Sequence, residues 1–156
     1  MSNAQQVYQA VKDHLDGRKF RYTPHDEDLA ITLTVHGDDI PIDTVIRVME
    51  EREVVQVLCP MSWKAPEDKR IDLAVAVAAA NYGIVNGSFD FDLSDGEIRF
   101  RLTQSFRGTT LNPEQVEYML GVSFITTDEY NDKFFALCKD MMSLEDFLKK
   151  ENEKRG

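Results

Sequence analysis

Cysteine is scarce in this chain, and an excess of positive charge is missing altogether. Two cysteines, Cys59 and Cys138, cannot make the disulfide framework of a small secreted domain. Basic residues number 18 against 28 acidic ones, a formal net charge of −10. That balance argues against nucleic acid, whose phosphates call for a basic face, and against a polybasic membrane anchor. No apolar run approaches the roughly 20 residues that cross a bilayer. Met1 to Gln6 lacks the basic and apolar regions of a signal peptide. The expectation is a cytoplasmic protein with neither nucleic acid nor membrane as partner.

Chemical motifs are missing too. There is no Gly-x-Ser-x-Gly elbow, phosphate-binding loop or dinucleotide fingerprint. His14, His25 and His36 are too widely spaced for a local metal motif, and no Cys-x-x-Cys accompanies them. Asp90-x-Asp92-x-Ser94-Asp95-Gly96 superficially matches a calcium loop, but Asp95 intervenes before the glycine and the flanks read as strands. Cys59 sits in the apolar register of its strand and Cys138 near the end of a long helix, and a buried structural thiol is the ordinary reading of each. The sequence therefore assigns no catalytic, cofactor-binding or metal residue and predicts no cofactor. A small enzyme or metal protein would need a site assembled from distant segments.

What is present is the composition of a globular domain: 156 residues, 42% hydrophobic and 29% charged. One domain over 1–156 is expected, with 1–2 and 150–156 frayed. Val7, Val11 and Leu15 mark a first helix, capped by Ser2 or Asn3 and ended at Gly17. Phe20 and Tyr22 suggest a short strand, followed by an acidic turn from Pro24 to Asp28. Leu29, Ile31, Leu33 and Val35 alternate with polar residues as a half-buried strand does, and Gly37-Asp38-Asp39 turns the chain. Two strands follow, about Ile42 to Glu50 and Glu53 to Met61. A turn at Glu51-Arg52 pairs Val48 with Val55, Ile46 with Val57 and Ile42 with Met61 on one face. It pairs Met49 with Val54 and Val45 with Leu58 on the other.

Pro66 to Ile84 reads as a helix whose Ala-Val middle is apolar nearly all round, a pattern expected to be buried on more than one side. Asp95-Gly96 then marks a hairpin that opposes Leu93 to Ile98, Phe91 to Phe100 and Phe89 to Leu102. The same register sets Asp92 against Arg99 and Asp90 against Arg101. Asn112-Pro113-Glu114-Gln115 opens a long helix that Gly121 and Thr126-Thr127 can bend. Ser143 and Asp146 start a last one, followed by a charged tail from Lys149. The order α-β-β-β-β-α-β-β-α-α with short connections implies an α+β domain, an antiparallel sheet with packed helices.

Apolar residues on both faces of the central strands carry the functional expectation. Val45, Met49, Val54 and Leu58 lie opposite Ile46, Val48, Val55 and Val57, and a sheet with one wet face does not need both sets. Either a helix or the later hairpin covers that second face, or a protein or peptide partner does. These four residues are the candidate protein interface.

Asn81-Tyr82-Gly83-Ile84-Val85-Asn86-Gly87-Ser88-Phe89-Asp90 and Asp95-Gly96-Glu97-Ile98-Arg99 resemble the YbjN family. Leu111-Asn112-Pro113-Glu114-Gln115, Tyr130 and Ser143-Leu144-Glu145-Asp146 resemble that family's later helices. The resemblance implies a type III secretion chaperone-like fold and a sensory-transduction or stress-related regulator, with no catalytic residues to carry over. Secretion chaperones of similar fold are small, acidic and commonly dimeric, and bind effector segments. The expectation is a non-enzymatic, homodimeric, regulatory or chaperone-like binding protein, with a dedicated effector chaperone as the alternative.

Overall fold

A computed structural model describes residues 1–38 and 40–155. In chain order it has α1 (Asn3–Gly17), β1 (Thr23–His25), β2 (Ala30–Val35), β3 (Ile42–Met49), β4 (Val54–Lys64), α2 (Arg70–Gly83), β5 (Ser88–Phe91), β6 (Glu97–Ser105), α3 (Pro113–Cys138) and α4 (Leu144–Arg155). The strands form one six-stranded antiparallel sheet in the order β1-β2-β3-β4-β6-β5. This is the expected α+β architecture in the expected element order.

Local chemistry explains the helix starts. Ser2 caps α1 and Asn112 caps α3, each in a complete capping box with a glutamine three residues on. Ser143 Oγ accepts from the Asp146 amide at the start of α4. α3 runs 26 residues unbroken through Gly121 and Thr126-Thr127. Its inward hydroxyls bond back along the helix, Ser123 to the Met119 carbonyl and Thr127 to the Ser123 carbonyl, so they are satisfied without breaking the helix.

The β3–β4 register is the expected one, with Val48↔Val55, Ile46↔Val57, Met49↔Val54 and Val45↔Leu58. Backbone pairing stops at Val45↔Leu58, so Ile42 and Met61 are not ladder partners. The connection is a 3-10 turn over Glu50–Arg52 with Glu53 left-handed at φ 55, not a two-residue turn. The same device joins β1 to β2, over Asp26–Asp28 with Leu29 at φ 50. A non-glycine residue there costs about 1–2 kcal/mol. Both carbonyls are tied to the sheet, Leu29 accepting from Val48 and Glu53 from Phe106.

Four expectations need correction. The first short strand lies at Thr23–His25, not Phe20–Tyr22. Phe20 and Tyr22 pack partly buried against the core instead, and Pro24 is tolerated because β1 is an edge. The left-handed residue after α1 is Lys19, not Gly17. The Asp95-Gly96 hairpin is shifted by two residues, to Phe89↔Phe100, Asp90↔Arg99 and Phe91↔Ile98. Asp92 causes the shift. Its carboxylate accepts from the Ser94 amide and hydroxyl, and its carbonyl from the Gly96 amide, which enlarges the turn and leaves Leu93 exposed. An even slip keeps every side chain on its face, so the apolar and charged sets stay sorted. Finally, α4 continues helical through the charged tail to Arg155, with Phe147 and Glu151 buried. The turn expected at Gly37-Asp38-Asp39 includes Asp39, which lies outside the described residues.

The core fills one side of the sheet. Ile31, Ile46, Val55, Val57, Cys59, Ile98, Phe100 and Leu102 point into it, and Val7, Val11, Leu73, Val116, Phe134 and Phe147 descend from the four helices. Phe89 sits edge-on to Phe100, Tyr130 and Phe134 at 5.2–5.5 Å between ring centroids.

Candidate protein-binding surface

The helices' buried apolar side chains all join the cluster that includes the inner face of the sheet. Val45, Met49, Val54 and Leu58 point the other way, and none belongs to that cluster. The register brings them together as two cross-strand pairs, Val45↔Leu58 and Met49↔Val54. Leu58 is buried and the other three are half-buried.

A polar bridge divides the two pairs. Arg47 Nε donates to Gln56 Oε1 at 2.9 Å, and Gln56 Nε2 donates to Thr103 Oγ1 at 3.0 Å, a chain spanning three strands. Beside Leu58 in the sheet comes Arg101, and next to it Arg99. Both donate from Nε to Asp90 Oδ2 at 2.9 Å, and Arg101 Nη2 donates to Asp90 Oδ1 at 3.0 Å. Burial pushes the Asp90 carboxyl up, but the bonds from Arg101 and Arg99 outweigh it and hold the group below its ordinary value. On the other side, Val45 is a wall of a cleft of about 430 Å³ with Arg21, Tyr22, Thr32, Thr34 and Asp43. The outward face thus presents apolar pairs among arginines, on a chain whose net charge is −10. Side chains of this kind can hold an extended polypeptide by apolar contact and charge.

The groups weighed for chemistry lie elsewhere. Burial pushes the Cys59 thiol up to about 11, and its contact is Thr44 Oγ1 at 3.7 Å, so it is no thiolate at neutral pH. Burial likewise raises Cys138. His14 lies in a cleft with Arg18, Phe20 and Glu117, while His25 bonds Thr32 at the sheet edge. Among the described residues, no three His, Cys, Asp or Glu side chains come together to hold a metal ion. None of the described helices is long and apolar enough to cross a membrane.

Asn81 has a role that its spacing did not disclose. β5 is a sheet edge, and the outward N–H and C=O of Phe89 would be open there. Asn81 Oδ1 accepts from the Phe89 amide at 2.7 Å, and its Nδ2 donates to the Phe89 carbonyl at 3.0 Å. The carboxamide substitutes for a neighbouring strand and blocks the edge. Gly87 turns the chain toward it at φ 83, where a Cβ would meet Phe100 Cζ at 2.3 Å.

The residues that make this clamp sit inside a longer match. Residues 8–136 match the family described as "YbjN: Putative bacterial sensory transduction regulator". The chain belongs to the YbjN family. Among solved structures it is similar to the crystal structure of YbjN, "a putative transcription regulator from E. coli", with a TM-score of 0.60 at 14% identity. That match covers 80% of this chain and 91% of the other. It is also similar to the ExsC-ExsE complex, TM-score 0.56 at 12% identity over 85% of this chain and 96% of the other. A third is the HopA1-SchA chaperone-effector complex, TM-score 0.54 at 8% identity over 82% and 96%. At these identities the likeness is one of fold: this chain shares the architecture of those three structures. No curated protein matches the chain.

Proposed function

We propose that this YbjN-family chain is a non-enzymatic, cytoplasmic protein-binding module with a regulatory or chaperone-like role, working as a homodimer. The carrying observation is the outward face of the sheet. Its two apolar pairs, Val45↔Leu58 and Met49↔Val54, are left outside the core that four helices close on the opposite side. The occupant is a polypeptide segment of another protein that presents apolar side chains to these pairs. Arg47, Arg99 and Arg101 share that face with Asp43, Asp90 and Glu97, so charged groups of both signs flank the apolar pairs. A surface that combines apolar anchors with arginine fits the composition of protein interfaces.

The second reading is a dedicated chaperone for one secretion effector. It is favoured by two neighbours of similar fold being complexes with protein partners, one named as chaperone with effector. A secretion operon beside the gene supports it, and the lack of one counts against it.

Affinity capture from the native host, identified by mass spectrometry and repeated with purified partner, tests the main reading. One recurrent partner should bind the parent and lose binding to Val45→Asp and Leu58→Asp while both variants stay folded. Equal binding by the variants removes the face from the account. A turnover assay that yields a reaction dependent on the chain removes the non-enzymatic reading.

A further inference from the structure

Of the chain's asparagines, Asn86 alone precedes a glycine. Asn3, Asn81, Asn131 and Asn152 lie in helices, where the side chain tilts toward the N-terminus and away from the next backbone nitrogen. Asn112 precedes Pro113, which has no N–H. Asn86 sits in the bend between α2 and β5, partly exposed, and lines a cleft of about 340 Å³ in which Lys154 is ion-paired with Glu129. The Asn81 clamp engages Phe89, and among the described residues nothing bonds the Gly87 amide or the Asn86 carboxamide. Gly87 itself is fixed by the fold, since φ is 83 and a Cβ would meet the Phe100 ring at 2.3 Å. The fold thus keeps an unshielded backbone nitrogen next to a carboxamide for which it has no structural use.

We propose that Asn86 is a modification site, deamidating spontaneously through Gly87 to aspartate and isoaspartate, and that the isoaspartyl form loosens the β5 edge. The Gly87 nitrogen gives its proton to hydroxide and attacks Asn86 Cγ. The N–Cγ bond forms, the Cγ–Nδ2 bond breaks, and the leaving nitrogen takes a proton from solvent and departs as ammonia. The product is a five-membered succinimide, which one water opens. Cleavage of the ring nitrogen from Cγ gives aspartate. Cleavage from the main-chain carbonyl carbon gives isoaspartate, whose peptide link runs through Cγ. The sum is amide plus water to acid plus ammonia, with no redox change. Ammonia is lost, so the change runs one way and the modified fraction rises with the age of the chain.

The two products differ in what they disturb. Isoaspartate inserts a methylene into the backbone immediately before Ser88, which pairs with Arg101, and Phe89, which Asn81 holds by two bonds. Gly87 lies close against the Phe100 ring and the Arg101 carbonyl, so the added length falls on that clamp. Aspartate adds only a carboxylate to the cleft. Asp95-Gly96 has the same kind of glycine, at φ 82, but is held. Asp95 accepts from the Glu97 amide at 2.9 Å and from Lys64 at 3.1 Å, and the Gly96 amide donates to the Asp92 carbonyl at 2.8 Å.

The full chain, aged at neutral and mildly alkaline pH in heavy-oxygen water and mapped by electron-transfer fragmentation, tests this. Residue 86 should lose its amide with first-order kinetics, faster at the higher pH, take up a labelled oxygen and give isoaspartate in excess. Asp95 should stay unlabelled, and Asn86→Gln, which would need a six-membered ring, should show no label at 86 over the same period. Hydrogen exchange at the Phe89 amide should be about tenfold faster in the aged chain than in the fresh one, as for a lost hydrogen bond. Freshly made Asn86→Asp, which has the charge without the extra methylene, should keep the parent rate. An Asn86 that stays intact in the folded chain, whatever it does in urea, overturns the site. An isoaspartyl chain whose Phe89 exchanges at the parent rate overturns the loosening of β5. Equal acceleration in fresh Asn86→Asp assigns the effect to charge and overturns the backbone account.

Discussion

The two faces of the sheet are built from the same alternating strands, yet they solve different problems. On the inner face Ile46, Val48, Val55 and Val57 are almost fully buried, and helices close over them. On the outer face Val45, Met49 and Val54 are half-buried and separated by arginine, glutamine and threonine that bond to one another. Period-two alternation sorts residues onto faces. Which face becomes core is decided by where the helices land, and on that choice depend the cost of a substitution and the function it disturbs.

The largest expected difference between the faces comes from Phe100→Ala. Phe100 is fully buried among Phe89 and its neighbours, and the cavity should cost about 3–5 kcal/mol in a urea melt. An outer-face truncation such as Met49→Ala should cost a small fraction of that. Next comes the β5 edge. Asn81→Ala leaves the Phe89 amide and carbonyl without their partner and should cost about 1–3 kcal/mol, with faster hydrogen exchange at Phe89. Asn81→Asp keeps the acceptor but loses the donor, and should fall between.

The smallest effect belongs to the outer-face ion cluster. Asp90 is held below its ordinary 3.8 in the folded chain. Its contribution is therefore complete above that value and lost as pH falls through the lower folded value. Because Arg99 and Arg101 are more than a third exposed, that contribution should be below about 1 kcal/mol. Asp90→Asn should lower stability at neutral pH by that amount and flatten the acid limb of a stability-against-pH curve.

Much of this was legible in the residues. The β3–β4 register followed from apolar pairs that agree on both faces at once, and the α3 capping box from Asn112 with Gln115 three residues on, while at α1 the residues left Ser2 and Asn3 both open as the cap. The β5–β6 register was not, because a two-residue slip preserves the same sorting, and only the Asp92 carboxylate, acting within the turn, chooses between them. The α2 composition suggested burial all round. Its outward side instead stays open, a fact of tertiary placement that a helical period alone does not contain. For the candidate surface, alternation put Val45, Met49, Val54 and Leu58 on one face. The Arg47–Gln56–Thr103 bridge between the pairs depends on strand order, since β6 is far from β3 in sequence. Asn81 was noticeable as part of a family pattern, but its work requires knowing that β5 is an edge.

The direct test of the division between core and docking face is Val45→Asp, measured for unfolding free energy and for binding to the partner that the parent captures. The account predicts a folded chain within about 1 kcal/mol of the parent, the span of strand propensities, and loss of partner binding. Unfolding of the variant, or full binding by it, would contradict the claim that this face is a recognition surface and not a second core.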